Sequence, residues 1–455
     1  MKIVLIGGGK VGYAIMRQLT KEGHDIVLVD SDREVVEFVN ERLDVMAICG
    51  NGANLEALEA AEAGSADLLI ACTAQDEMNI LSCIFARKLG CGNTIARVRT
   101  PEYAEQMYYI KDELGLSMII NPELNAAREI FSLMEIPGVL RRDSFPKSRV
   151  EIVEIVPTSG SVLDGLKLVD FPKKLRCKAI VCAVQRNEEV IIPDGNFTIQ
   201  AGDKLSICAT VTQIVRILEA TGQHTRKARD VMIIGGSKIA DYLSYLLLKA
   251  EVRVKVLERS SEKAAIFAQK YPKAVVVCAD GSSEDVLQSE RAEQMDAVAT
   301  LTNMDEENLI LSMYLSHIGV PQVITKVNRN EYGSLVADKG VNRLVNPKKL
   351  CADAIVGYVR AMQNTGDSSV LTLHHLVDGR VDALEFDVTA SCRHLGTMLK
   401  DIAFKPNILI ACISRMGKPI VPGGLDYFEE GDTVIVINST DRVILDLNDI
   451  FAVEA

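Results

Sequence analysis

The sequence predicts an α/β fold made of two doubly wound parallel sheets, each followed by a small α+β lobe. Three observations predict it. Ile3 to Gly12, IVLIGGGKVG, returns as Val231 to Ala240, VMIIGGSKIA, at an offset of 228 residues. The first ~135 residues of each copy alternate short apolar runs with helical patterns, the mark of β-α-β units. The last ~80 residues of each copy instead alternate polar and apolar positions around proline- and glycine-supplied turns.

The repeat continues at a nearly constant offset. CGNGANLEAL from Cys49 pairs with CADGSSEDVL from Cys278, and CTAQDEMN from Cys72 with LTNMDEEN from Leu301. ARVRTPEY from Ala96 pairs with TKVNRNEY from Thr325, and Asn121-Pro122 with Asn346-Pro347. These matches divide the chain into residues 1–138, 139–225, 228–362 and 368–455: sheet domain, lobe, sheet domain, lobe. Polar links are expected near Gly222–Arg229 and Gln363–Ser369.

In the first copy, strands are expected over Ile3–Ile6, Ile26–Asp30, Val45–Cys49, Leu68–Cys72, Thr94–Arg97 and Met118–Ile120. Helices are expected from Val11, Arg33, Leu55, Asn79 and Tyr103. Crossovers of this kind place helices on both faces of a parallel sheet. In the lobes, Arg149–Val156, Ala179–Gln185 and Lys204–Ala209 read as strands, as do Leu384–Val388, Ile408–Ser414 and Thr433–Ile437 in the second copy.

Glycines at 7, 9 and 12 make G-x-G-x-x-G, with Lys10 and Val11 between the last two. The motif follows a predicted strand and opens a helix, and Asp30 ends the next strand about 20 residues on, which completes the dinucleotide fingerprint of a Rossmann-like sheet. Gly7 permits the tight turn, Gly9 lets the backbone approach a pyrophosphate, and Gly12 lets helix and strand pack closely. The amides and positive dipole end of the helix attract phosphate. Asp30 can accept both ribose hydroxyls and would repel a 2′-phosphate, which favours NAD(H) over its 2′-phosphorylated form. ATP or ADP satisfies the same ribose and phosphate contacts.

Other candidates sit at the same sheet edge. Asn51 and Gly52 follow the third strand, where they are either an adenine-end contact or a plain Asn-Gly turn. Thr73 and Asp76 follow the fourth strand, and Asp76 is equally a helix cap. Arg97 and Arg99 end the fifth, as phosphate ligands or as surface ion pairs. In the second copy Gly235, Ser237, Lys238 and Glu258 occupy the equivalent places. Ser237 and Ala240 replace the middle and last glycines, so this site is expected to bind more weakly. Glu258 keeps the ribose acceptor, and Lys326 stands where Arg97 stood.

Composition narrows the partners. A formal net charge of -12 opposes phosphate backbones and anionic head groups, so neither nucleic acid nor direct membrane insertion is expected. No apolar run approaches the ~18–20 residues needed to span a bilayer. The run Ile3–Ile6 is too short for a signal peptide and leads into the glycine loop. The 11 scattered cysteines, with no C-x-x-C pair, read as small core residues of a reduced protein. His374 and His375 are adjacent, so on a strand their rings point to opposite faces and do not converge on a metal.

At this point the residues resemble a known family. GGGKVG with an acidic strand end, Asp76-Glu77-Met78-Asn79 and Ala96-Arg97-Val98 resemble the RCK/KTN nucleotide-binding domain. The small lobes, with their V-P-x-G and x-G-D turns, resemble the RCK C-terminal domain. The tandem order over the whole chain resembles the TrkA family, peripheral subunits of bacterial Trk potassium-uptake systems. The resemblance implies a homo-oligomeric ring, expected to be a tetramer. It implies a place on the cytoplasmic face of the cell membrane, through a TrkH-like potassium channel partner. It also implies NAD(H) and ATP or ADP as ligands, with Gly7, Gly9, Gly12 and Asp30 holding the nucleotide and Arg97 near its phosphates. Ser237 and Ala240 depart from the pattern.

Two other readings remain in view. An NAD-dependent dehydrogenase needs an acid or base poised at the nicotinamide, yet none of the six histidines lies in a shared motif. A nucleotide sensor for a different transporter uses the same fold with another partner. The expectation is therefore a non-enzymatic regulatory subunit.

Overall fold

The computed structural model describes residues 1–100, 103, 106, 109–222, 227–329, 336, 341–363, 370–439 and 444–452. The expected links near Gly222–Arg229 and Gln363–Ser369, and the expected helix from Tyr103, fall mainly outside those residues.

The first module runs β1 (Lys2–Ile6), α1 (Lys10–Lys21), β2 (Asp25–Asp30), α2 (Arg33–Arg42), β3 (Met46–Cys49), α3 (Leu55–Ala60), β4 (Leu68–Ala71), α4 (Asp76–Leu89), β5 (Asn93–Arg97) and β6 (Met118–Ile120), then α5 (Pro122–Glu135). Its strands lie in the order β3-β2-β1-β4-β5-β6, every pair parallel. This is the Rossmann order, with the switch point between β1 and β4. Ile3, Val4, Leu5, Leu68, Leu69 and Ile70 are wholly buried because helices cover both faces, which explains their unbroken apolar runs. Each such side chain contributes ~1.5–3 kcal/mol by leaving water. Along α1, Val11, Ile15 and Leu19 recur at helical spacing on the buried face.

The first lobe contains β7 (Arg141–Phe145), β8 (Val150–Ile155), α6 (Phe171–Leu175), β9 (Ala179–Arg186), β10 (Glu189–Ile191), β11 (Lys204–Ala209) and α7 (Val211–Ala220). Its five strands form an antiparallel sheet in the order β10-β9-β11-β8-β7.

The second module repeats the first: β12 (Asp230–Ile234), α8 (Lys238–Lys249), β13 (Arg253–Glu258), α9 (Ser261–Lys270), β14 (Val275–Cys278), α10 (Glu284–Ser289), β15 (Ala297–Thr300), α11 (Asp305–His317), β16 (Gln322–Lys326), β17 (Leu344–Val345) and α12 (Pro347–Gln363). Its strand order, β14-β13-β12-β15-β16-β17, is the same. The second lobe has β18 (Val370–Leu376), β19 (Val381–Asp387), β20 (Ile408–Arg415), β21 (Lys418–Ile420) and β22 (Thr433–Ser439), ordered β18-β19-β22-β20-β21 as in the first. Short 3₁₀ turns flank its described strands where the first lobe carries α6 and α7.

The repeat units do not each stand alone. Residues 1–131 and 228–356 form one compact unit, and residues 132–227 and 357–455 another. The division falls inside α5 and α12. In the second unit the two lobes share a core: Phe145, Cys182 and Cys208 pack with Leu376, Ala383, Cys412 and Ile435. The Gly-Asp turns have a structural cause. The carboxylates of Asp203 and Asp432 are buried and accept paired bonds from Arg186 (2.8 and 2.8 Å) and Arg415 (3.0 and 2.9 Å). Nine cysteines are buried, while Cys49 and Cys278 are exposed at the ends of β3 and β14.

Candidate functional site

Each cleft opens at the carboxyl edge of its sheet, beside the first strand of its module. Gly7 turns the chain with φ +97° and Gly235 with φ +98°, a region that glycine alone enters without strain. Their amides donate to the carbonyls of Val29 (2.9 Å) and Leu257 (2.8 Å). The next amide turns inward, so that Gly8 N–H donates to Asp30 Oδ2 and Gly236 N–H to Glu258 Oε2, both at 2.6 Å. The other carboxylate oxygen accepts from Asp32 N–H or Ser260 N–H, both at 2.8 Å. The loop therefore orients each acid before any ligand arrives, and each carboxylate oxygen keeps a lone pair for a ribose hydroxyl.

The glycines differ in what holds them. A Cβ on Gly12 would stand 2.0 Å from the Gly7 carbonyl oxygen, whereas a Cβ on Gly9 would meet nothing within 4 Å. Gly12 is thus a packing glycine and Gly9 faces open space, which fits the approach of a diphosphate. Gly9 is also the N-cap of α1 and supplies no side-chain cap, so the first amides of the helix point at that space. Val11 and Gly12 are buried behind them, and Lys10 is exposed at the first helical position.

In the second module Ser237 is the N-cap of α8, and its hydroxyl accepts Ala240 N–H at 3.3 Å. The serine satisfies the helix start that the first module leaves open. Lys238 is exposed at the first helical position, and its ammonium donates to Thr100 Oγ1 at 3.4 Å. The second cleft is open to solvent and is lined by Gly235, Ser237, Glu258, Asp280 and Thr302 among others. Arg259 and Lys263 also line it. Sequence reasoning passed over these two. The signal was their position directly after Glu258, on the turn and helix that carry the ribose corner.

Asn51 and Gly52 lie at the expected edge, in a turn. Asn51 Oδ1 accepts Ala53 N–H at 2.9 Å, and a Cβ on Gly52 would come within 2.0 Å of Ile6 Cγ2. Thr73 adjoins Gly7, whose ideal Cβ position is 3.0 Å from Thr73 N. Its N–H and hydroxyl both reach Asn79 Oδ1, at 2.8 and 2.7 Å. Asn79 Nδ2 donates to the Arg97 carbonyl at 2.9 Å, and Asn308 repeats this with Thr302 and Lys326. The buried asparagine of D-E-x-N therefore ties the β4 loop to the end of β5. Asp76 is not the helix cap; Gln75 is. Asp76 Oδ2 accepts the Arg99 and Thr100 amides at 3.0 and 2.8 Å.

Arg97 and Lys326 both reach back to a carbonyl, Thr73 O at 3.4 Å and Thr302 O at 2.9 Å. Glu123 on α5 takes Arg99 Nε at 2.7 Å and lies 3.8 Å from Arg97 Nη2. The Arg97 Nε is buried with no acceptor among the described residues. Burial pulls the Lys326 pKa down against the pull of Asp305 and Glu123. Beneath the first loop, Cys72 Sγ donates to the Gly7 carbonyl at 3.3 Å, and burial raises its pKa to about 12. It is held as a thiol and is no nucleophile. His374 and His375 turn to different partners, Asp143 and Asp382.

These features define a protein with two Rossmann-type clefts and paired small lobes. Residues 3–122 and 231–347 match the TrkA-N domain family, and residues 152–222 match the TrkA-C domain family. A TrkA homolog of the Trk potassium-uptake system from Archaeoglobus fulgidus is 30% identical over 97% of this chain and 98% of its own. The Trk system potassium uptake protein TrkA of Haemophilus influenzae is 26% identical over 99% of this chain and 98% of its own. Among solved structures, the GsuK channel bound to NAD superposes with a TM-score of 0.63 at 16% identity, covering 97% of this chain and 77% of that one. The chain belongs to the TrkA family.

Proposed function

We propose that this protein is the nucleotide-responsive regulatory subunit of a potassium-uptake system, binding NAD(H) or ATP/ADP and gating a TrkH-like membrane channel. The observation that carries the reading is the first cleft. An acid already held by the glycine loop faces an uncapped helix start with open space at Gly9. Gly7, Gly9, Lys10, Val11, Gly12 and Asp30 hold the ribose and diphosphate there. Asn51, Gly52 and Thr73 border the ligand, and Arg97 adds charge behind Thr73. Gly235, Ser237, Lys238 and Glu258 form the second site.

A regulatory rather than enzymatic role is supported by the near full-length likeness to relatives named as Trk system potassium uptake proteins. Among the described residues, no helix is long and apolar enough to cross a membrane. On this reading the protein sits on the cytoplasmic face through its channel partner, as a homo-oligomeric ring, a tetramer. Each ligand shifts the ring only by its differential affinity for two shapes. At ~1–3 kcal/mol per site, several sites sum to the ~5.5 kcal/mol that inverts a 1:99 population.

Calorimetric titration with NAD, NADH, ATP and ADP tests the reading, with Asp30→Ala as the control. Binding that weakens at least tenfold in the variant is expected. Equal affinity in both proteins removes the site assignment, and turnover of a hydroxy acid or amino acid with NAD removes the regulatory reading.

A further inference from the structure

One histidine stands on the seam between the two small lobes. His374 on β18 places Nε2 3.0 Å from the Ser144 carbonyl oxygen and Nδ1 3.3 Å from Asp143 Oδ1, both on β7 of the other lobe. A carbonyl and an ionised carboxylate only accept hydrogen bonds. Neutral imidazole carries one N–H and must turn a lone pair toward one of them. Imidazolium serves both. The ring also packs edge-on against Phe145, with centroids 4.9 Å apart at 83°. Phe145 is fully buried in the core that the lobes share, so the ring lies against that core. The His374 side chain is 26% exposed, which leaves its proton a route to water.

Charged groups surround it on the described elements packed against it. On β7, Arg141 Nε lies 2.8 Å from Asp143 Oδ2. After β7, Lys147 pairs with Asp387 at 2.6 Å, and Ser148 donates to Glu385 of β19. Thr372, on β18 itself, also donates to Glu385. On the other side of β18, His375 meets Asp382, which Arg360 also holds. Burial, and Arg141 to a lesser degree, push the His374 pKa down. The Asp143 charge and the two hydrogen bonds outweigh them and hold it above the usual histidine value. Asp143 is pushed up by burial, but Arg141 and His374 prevail and keep it well below the usual carboxylate range.

We propose that His374 is a proton-operated latch between the two small lobes, shut as imidazolium and released as neutral imidazole. The sign follows from linkage. The latch contributes fully below the pKa of a free histidine, ~6.5. Its contribution is lost as pH rises through the higher value in the packed lobes. Asp143 stays ionised throughout this window, so the histidine alone switches. The latch does not depend on nucleotide binding. It gives the lobes a second input, pH near neutrality.

The test uses the full-length chain with ¹³C-labelled histidine, His374→Gln assigning the His374 signal. The His374 ring should titrate above free histidine, and Asp143→Asn should move it down. Hydrogen exchange of β7 and β18, corrected for intrinsic rates, should accelerate with pH by about tenfold for each unit by which packing raises the pKa. His374→Gln should flatten that profile, and His374→Lys should keep the lobes protected to higher pH. A His374 titration at or below that of free histidine overturns the latch. So does an exchange profile in Asp143→Asn or His374→Gln identical to the parent's. Should His374→Gln fail to fold, replacing the other histidines in turn assigns the His374 signal by elimination, and its titration still decides.

Discussion

Tyr242 on α8 of the second module and Asn121 at the start of α5 of the first are joined by a hydrogen bond of 2.8 Å, the carboxamide Nδ2 donating to the phenol oxygen. The Tyr242 hydroxyl in turn donates to the Arg99 carbonyl at 3.4 Å, and Lys238 reaches Thr100 one residue on. Asp76, beside the first cleft, holds the same two residues from the other side through their amides. Residues 99 and 100 are thus gripped by the helix that starts beside one cleft and by the helix that starts beside the other. A change of loop position at either cleft is expected to reach its partner through this shared segment.

Tyr242→Phe therefore separates coupling from binding. It removes two hydrogen bonds and should cost ~1–2 kcal/mol of stability while leaving both clefts chemically intact. In a two-site titration the parent should show unequal or interdependent affinities, and Tyr242→Phe should bring the sites closer to independence. A double-mutant cycle with Asn121→Ala isolates the pair. An unchanged coupling free energy in Tyr242→Phe rules the segment out as the link.

The middle and last glycines of the first loop give opposite expectations for the same substitution. Gly9→Ala adds a methyl into open space at an ordinary φ of -60°. The protein should fold with a near-parental Tm and lose nucleotide affinity, because the methyl occupies the diphosphate approach. Gly12→Ala drives a Cβ to 2.0 Å from the Gly7 carbonyl. It should lower stability by ~1–3 kcal/mol, the usual cost of overpacking. Thermal melts with and without NADH read both effects. A Gly9→Ala protein that binds as tightly as the parent denies the diphosphate its place.

Much of this is legible in the sequence. Strands β1 to β6 end within a residue or two of their expected bounds, because parallel strands covered on both faces leave unbroken apolar runs. Asp30 and Glu258 stand where the fingerprint put them. The union of the two modules was not legible, since it depends on single polar contacts such as Tyr242 with Asn121, which carry no periodicity. The cap alternative for Asp76 failed because its carboxylate acts 23 residues away, on Arg99, rather than on its own helix. Arg97 and Lys326 carry the right charge at the right strand end, yet their side chains turn back to the Thr73 and Thr302 carbonyls, a choice set by rotamer and packing. The Arg186–Asp203 and Arg415–Asp432 pairs were hidden because each joins a strand end to a turn 17 residues on, and each of these sheets has a bulge that shifts the register.

Breaking one of those pairs should unsettle its lobe without touching a cleft. Asp203 is 2% exposed, and it accepts from Gln200 N–H at 2.8 Å as well as from Arg186. Arg186→Ala leaves a buried carboxylate with only backbone support, and removing one partner of a buried pair costs about 3–5 kcal/mol. The Arg186 side chain is 28% exposed, so screening brings the expectation to roughly 2–3 kcal/mol. Chemical denaturation should show that loss, and the affinity for NADH should hold.

The serine at the second helix start offers the sharpest contrast between the modules. Ser237 caps α8 with its own hydroxyl, whereas Gly9 leaves α1 uncapped. Ser237→Gly should cost only a few tenths of a kcal/mol, because glycine is itself an acceptable N-cap. It also clears the Cβ and hydroxyl from the path of a phosphate and frees the Ala240 amide to donate. With the first site silenced by Gly9→Val, the second-site affinity for ADP should therefore rise several-fold in Ser237→Gly. The Glu258 carboxylate, held by Gly236 and Ser260, stays in place to receive the ribose. If the affinity falls instead, the serine hydroxyl is a ligand-binding group and not a plug. The second cleft then reads phosphate through a side chain where the first uses bare backbone.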